Sequence, residues 1–173
     1  YYSNNLISFL NILELMREEG RENILFSSSA TVYGEPENVP IDEGTQTGLG
    51  ITNPYGKTKY VIEEILKDIA KTDKKFEAVV LRYFNPVGAH QSGLIGEDPH
   101  GLPNNLVPYI NKVATKELPI LNVFGDDYET KDGTGIRDYI HVVDLAIGHI
   151  KAIEYAKNNK GSIAINLGTG NGY

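Results

Sequence analysis

The sequence predicts an α/β fold built on a parallel sheet, and three observations carry that expectation. Apolar residues recur at helical spacing in several segments, short continuous apolar runs stand between them, and the two kinds alternate along the chain. Continuous runs suit parallel strands, which are covered on both faces.

Leu6, Phe9, Leu10, Leu13 and Met16 recur at helical spacing, and Gly20 suits the stop that follows. Ile24, Leu25 and Phe26 form a short apolar run ending in Ser27, Ser28 and Ser29, a buried strand that delivers three hydroxyls. Residues 34–53, rich in Pro, Gly, Thr and Asp, read as a long loop, and long loops inside domains are usually functional. Asn53 as cap and Pro54 as first helical residue then open a second helix carrying Val61, Ile62, Ile65, Leu66 and Ile69. Residues 78–81 make the next buried strand, and 88–103 a second irregular stretch. A helix over 106–115, a strand over 120–124 and an acidic loop over 125–135 follow. Val142, Leu145, Ala146, His149 and Ile153 define a further helix, and residues 163–165 a last strand. Gly168-Thr169-Gly170 reads as a tight turn, because it lacks the third glycine and downstream acid of a dinucleotide fingerprint. A chain that opens on a helix and closes on a strand is expected to find sheet partners outside these residues.

Hydrophobic content of 40% and charged content of 23% over 173 residues suit about one soluble domain. A net charge of −7 argues against nucleic acid or an anionic membrane as partner. No apolar run approaches the ~20 residues of a membrane span. The absence of cysteine excludes disulfide and thiolate chemistry and fits a cytoplasmic location. His90, His100, His141 and His149 show no metal-ligand spacing, so no metal is expected.

Tyr55 and Lys59, four apart on a helix, share a face, so the ammonium can sit near the phenol. That cation and the helix N-terminus both favour phenolate, which predicts a pKa lowered from about 10 toward working pH. Tyr55 is then a candidate general acid/base for a hydroxyl or carbonyl. Taken alone, the Tyr-x-x-x-Lys spacing also fits an amphipathic helix, and the serines also fit a strand-end turn bonding its own backbone. Together they gather donors at the carboxyl edge of a parallel sheet, the usual ligand crevice.

Ser-Ser-Ala-Thr-Val-Tyr-Gly at 28–34, read with Tyr55 and Lys59, resembles the extended short-chain dehydrogenase/reductase superfamily. Leu-Arg-Tyr-Phe-Asn-Pro-Val-Gly-Ala-His at 81–90, Gly-Glu-Asp at 96–98, Gly-Leu-Pro-Asn-Asn-Leu at 101–106 and Asp-Gly-Thr-Gly-Ile-Arg-Asp-Tyr-Ile-His at 132–141 narrow the resemblance. They are similar to the UDP-glucose/UDP-galactose 4-epimerase family along essentially the whole chain. The loop between Gly34 and Tyr55 is a residue longer than the family's, a difference a surface loop tolerates.

The resemblance implies a Rossmann-like, doubly wound parallel sheet, present as its later half, plus part of a smaller substrate-binding domain. Residues 1–85 and a truncated return at 138–173 would belong to the NAD-binding domain, and 86–137 mostly to the substrate-binding segment. It implies reversible 4-epimerisation of UDP-galactose and UDP-glucose, a step of galactose metabolism, through a transient 4-keto sugar with tightly bound NAD. Tyr55 would be base and then acid, Ser29 would hydrogen-bond the reacting oxygen, and Lys59 would bind the nicotinamide ribose. Asn4 and Phe84 match positions near NAD. Asn85, Asn104, Asn105 and Leu106 match positions at the sugar and diphosphate. Asn122, Val123 and Phe124 match the uracil wall, and Arg137 the diphosphate arginine. From the residues alone, the phenylalanines also fit as core, the asparagines as caps or turns, and Arg137 as half of a surface ion pair. Relatives pair through helices, implying a homodimer whose interface includes the first helix and the one Tyr55 opens.

Ala30 and Thr31 carry no carboxylate where related 4,6-dehydratases have acids, which counts against elimination chemistry. A UDP-glucuronate epimerase, a dehydratase, or a non-catalytic nucleotide-sugar-binding module are the alternative readings. The family's Gly-rich fingerprint has no counterpart here, so the isolated chain is expected to be inactive.

Overall fold

Three strands form the main sheet: β1 (Asn23–Ser29), β2 (Glu77–Tyr83) and β5 (Ile163–Leu167), side by side in the order β1-β2-β5 and all parallel. The computed structural model describes residues 1–159 and 161–173. It divides into two units, one of Tyr1–Phe84 with Ile147–Leu167, the other of Asn85–Ala146 with Gly168–Tyr173.

In the first unit, α1 (Ser8–Glu18) continues directly from a π-helical turn, Ser3–Ile7. It ends at Gly20, whose φ of 61° is the left-handed conformation a Cβ would resist. The second helix, α2 (Pro54–Thr72), starts as the sequence predicts: the Asn53 carboxamide accepts from Gly56 N at 2.8 Å, and Pro54 fills the first turn. Both helices cover one face of the sheet. Phe9, Ile62 and Leu66 pack there with Phe26, Phe76, Ala78 and Val80. Leu66 is so completely enclosed that truncating it to Ala would cost about 2–5 kcal/mol. The other face is covered by α4 (Val142–Asn158), whose Ala152 and Ala156 lie against Leu25, Val79, Leu81, Ile165 and Leu167. Helices on both faces of a parallel sheet make the doubly wound arrangement expected.

The second unit holds β3 (Asn85–Val87), paired in parallel with β4 (Tyr139–His141), and α3 (Leu106–Ala114). The two three-residue strands are absent from the sequence-based expectation. The strand expected over 120–124 does not form. That segment has no hydrogen-bonded neighbour strand, and Ile120, Leu121, Val123 and Phe124 are exposed, Phe124 at 96%. An apolar run without a partner cannot satisfy its backbone, so local pattern alone does not make it a strand. Among the described residues, no helix is long and apolar enough to cross a membrane.

Candidate active site

The serine run occupies the last three positions of β1 rather than a following turn. Alternation along the strand sends Ser27 and Ser29 to one face and Ser28 to the other. Ser28 is buried and donates to Glu63 Oε1 at 2.6 Å. Ser29 caps the 3₁₀ turn Ala30–Tyr33, its Oγ accepting from Thr31 N at 3.2 Å and from Thr31 Oγ1 at 3.0 Å. The backbone-bonding role open to the serines is therefore real, but it uses only acceptor capacity. A hydroxyl keeps its own proton to donate, and Ser29 is the neighbour that pulls the Tyr55 phenol's pKa down.

Tyr55 stands in the first turn of α2, held against the Ser29 turn by a close approach at Gly56. A Cβ on Gly56 would lie 2.9 Å from Ile51 Cγ2 and 3.1 Å from both Thr31 Cβ and Thr31 Oγ1. Only glycine lets the helix start settle there. Asn5 also fastens α2, donating from Nδ2 to Thr58 Oγ1 at 2.8 Å. Lys59 lies one turn beyond Tyr55 on the same face. Its Nζ donates to the Ser27 carbonyl at 2.7 Å and sits 5.5 Å from the Tyr55 ring centroid and 5.0 Å from that of Phe26. The strand end and the helix start thus bring Ser29, Tyr55 and Lys59 together.

The acidity of the phenol differs from the sequence-based expectation. Burial pushes the Tyr55 pKa up from its ordinary value of 10.0, the Ser29 hydroxyl pulls it down, and Tyr1 adds to the rise. Burial, not the Lys59 ammonium, is the largest influence on it; the ammonium lies over ring faces and is tied to a backbone carbonyl. Burial lowers the Lys59 pKa in turn. Desolvation disfavours both charged forms at once, a tertiary effect that i, i+4 spacing does not reveal.

Three neighbours escaped the sequence reading. Tyr1 meets Tyr55 edge-to-face with ring centroids 5.7 Å apart. Tyr83 Oη donates to Ser27 Oγ at 2.6 Å and also bonds His149 Nε2. Burial raises the Tyr83 pKa, against a lowering contact from Ser27, and Tyr55 adds to the rise. The Tyr83 pairings span 56 and 66 residues, so nothing local signals them.

The remaining predicted residues are placed individually. Asn4 is exposed in the π-helical turn, and Phe84 is half-buried, its N–H donating to Leu167 O at 3.1 Å. Asn85 Nδ2 donates to the Asp138 carbonyl at 3.1 Å. Asn104 is exposed, and Asn105 Nδ2 donates to Glu97 Oε1 at 2.8 Å while Asn105 precedes α3 without capping it through its side chain. Leu106, Asn122, Val123 and Phe124 are exposed. Arg137 is not paired with Asp138: its Nη1 donates to the Ile136 carbonyl at 2.8 Å. The Asp138 carboxylate instead accepts from Thr169 N, Thr169 Oγ1 and Gly170 N at 2.8–2.9 Å. The Gly168-Thr169-Gly170 turn therefore spends its amides on an internal carboxylate and offers no cradle for a pyrophosphate. Two grooves of the first unit, about 510 and 520 Å³, lie at the opposite end of β1, around Phe76 and Ile24, and include none of Ser29, Tyr55 and Lys59.

A model of the NAD dependent epimerase/dehydratase family matches residues 1–168. The UDP-glucose 4-epimerase of Pasteurella multocida is 60% identical over the whole of this chain, which covers 51% of that protein. The UDP-glucose 4-epimerase of Homo sapiens is 58% identical, again over the whole chain, with 49% covered. Among solved structures, UDP-glucose 4-epimerase from Bifidobacterium longum in complex with NAD+ and UDP matches with a TM-score of 0.95 at 56% identity, over all of this chain and 51% of that one. The enzyme from Brucella ovis in complex with NAD matches at 0.92 and 44% identity, over all of this chain and 52% of that one. The chain spans about half the length of the curated relatives it matches.

Proposed function

Because this chain belongs to the NAD dependent epimerase/dehydratase family, we propose that it carries the acid–base residues of a UDP-hexose 4-epimerase that interconverts UDP-galactose and UDP-glucose. The observation that carries the proposal is the meeting of Ser29, Tyr55 and Lys59 where β1 ends and α2 begins. Identity near 60% to curated UDP-glucose 4-epimerases supports the substrate class.

The residues present fit one end of an NAD molecule. Lys59 has three ammonium protons and spends one on Ser27 O, which leaves donors for a ribose hydroxyl. Asn4 and Phe84 are proposed to stand near the same cofactor. The Gly168-Thr169-Gly170 turn does not fit the pyrophosphate, so the 173-residue chain alone is proposed to be inactive. When bound, NAD supplies hydride uptake and return at carbon 4.

Tyr55 takes the proton from the sugar's 4-hydroxyl and later gives it back. Ser29, whose Oγ is fixed by two bonds from Thr31, donates to that oxygen as charge develops. In the second unit, residues 86–137 are proposed to supply most substrate contacts. Arg137 would clamp the diphosphate, Asn85, Asn104, Asn105 and Leu106 would meet the sugar and diphosphate, and Asn122, Val123 and Phe124 the uracil. Elimination is disfavoured, because Ala30 and Thr31 bring no carboxylate beside Ser29. A stable 4-keto-6-deoxy product would overturn the choice.

A homodimer is proposed from the resemblance, supported by Ile7, Leu10, Leu15 and Val61, which α1, its preceding turn and α2 leave exposed. Light scattering on the full-length protein would return twice the subunit mass, and a monomer mass refutes it. The cytoplasm is the proposed location, in keeping with the lack of cysteine. The deciding experiment is Tyr55→Phe in the full-length protein. Turnover of UDP-galactose should fall about 10³-fold, and unchanged turnover removes the base.

A further inference from the structure

The face of the sheet under α2 changes character one row before the catalytic serine. Cross-strand rows there are Ile24 with Ala78, then Phe26 with Val80 and Ala164, all apolar. The next row is Ser28, Arg82 and Asn166. Over it sits a closed set of hydrogen bonds. Glu63 Oε1 accepts from Ser28 Oγ at 2.6 Å and from Arg82 Nε at 3.1 Å, and Glu63 Oε2 from Arg82 Nη2 at 2.6 Å. Arg82 Nη1 donates to Tyr33 Oη at 2.8 Å, and Tyr33 in turn donates to Asn166 Oδ1 at 2.8 Å. Asn166 reaches the long loop, donating from Nδ2 to Ile41 O at 3.2 Å and from its backbone N to Glu43 Oε1 at 2.8 Å.

Glu63 and Arg82 are 1% and 3% exposed, so neither faces solvent in this chain. Desolvating such a pair costs about what the attraction returns, and apolar residues of similar volume often serve stability as well. What the pair supplies that apolar packing does not is direction. Tyr55, Lys59 and Glu63 fall at i, i+4 and i+8 on α2, one stripe of the helix. Fastening Glu63 to β1 and β2 therefore fixes the roll of α2 about its axis, and with it where Tyr55 points. Fastening Ser28 fixes the strand one planar peptide before Ser29.

We propose that the Ser28–Glu63–Arg82–Tyr33–Asn166 set is a positioning device that holds the Ser29 hydroxyl and the Tyr55 phenol in reacting alignment. Its members are positioning residues, and the inference rests on the catalytic reading above.

The test uses the full-length protein with its NAD. Ser28→Ala and Tyr33→Phe each remove one hydroxyl from the set. Each should lower kcat for UDP-galactose about tenfold while KM stays within about twofold, as misalignment of a reacting group does. Bound NAD should hold, and the thermal midpoint should fall by no more than a few degrees, the cost of a buried group left without its hydroxyl partner. The paired change Glu63→Leu with Arg82→Met should keep the protein folded and lower kcat by about a hundredfold. Unchanged kcat in Ser28→Ala and Tyr33→Phe overturns the proposal, as does a loss of kcat that merely follows lost NAD or lost folded protein. Should the paired variant not fold, the two single variants decide. Tyr55→Phe, run alongside, separates the questions: if it stays active the catalytic reading fails, whereas if it alone is inactive only the positioning inference does.

Discussion

The proposed acid–base residues of the first unit and most of the proposed substrate residues of the second are held in opposite ways. In the first, Ser29, Tyr55 and Lys59 are at least half-buried, Ser29 is tied to Thr31 and Lys59 to Ser27, and the start of the helix is backed by a glycine contact with no slack. In the second, Asn104, Leu106, Asn122, Val123, Phe124 and Arg137 are exposed, and the Arg137 guanidinium bonds the Ile136 carbonyl beside it. Groups that move a proton gain from being fixed before substrate arrives, since a displacement near 1 Å can cost about a hundredfold. Groups that grip a large anionic substrate can be drawn into place by it, at an entropic cost taken from affinity. The contrast predicts that damage to the first unit appears in kcat and damage to the second in KM.

Lys59→Met gives the largest expected effect after loss of the phenol. It should lower kcat about a hundredfold and move the pH profile. Burial already holds the Tyr55 phenol above its ordinary value, so its proton-accepting form grows as pH rises, and the acidic limb of turnover climbs toward alkaline pH. Removing the nearest cation should carry that limb higher still. A limb that stays in place in rate measurements across pH would mean that Lys59 acts on the cofactor alone. Arg137→Gln comes next. Losing a charge-assisted bond should raise KM for UDP-galactose about thirtyfold with kcat nearly unchanged, and a fall confined to kcat would break the comparison. Gly56→Ala is the smallest and the sharpest. One methyl 2.9 Å from Ile51 and 3.1 Å from Thr31 should lower kcat about tenfold with KM kept, and full activity would show that the helix start has room after all.

What could be read in the sequence was local. The start of α2 was legible in Asn53, Pro54 and the spacing of Ile62, Ile65, Leu66 and Ile69, because capping and amphipathicity act within a few residues. The meeting of Ser29 with Tyr55 followed from a strand feeding a helix. Distant pairings were hidden. The strands β3 and β4 exist because Asn85 finds Tyr139, 54 positions on, while the more apolar segment at 120–124 finds no partner. Ser28 looked like one hydroxyl among three, and only its contact with Glu63, 35 residues away, gives it a separate role. The phenol's acidity was misjudged for the same reason: spacing reports the neighbouring cation, but burial is the larger influence and belongs to the folded state.

Asp138 has a bearing on how the chain behaves in solution. Its carboxylate is tethered inside a turn that, by composition, could have attracted a free anion. A tethered competitor acts at a far higher effective concentration than a dissolved one. Phosphate, sulfate or a stray nucleotide should therefore find that turn closed to them, leaving the exposed guanidinium of Arg137 as the more open invitation to negative charge in its unit.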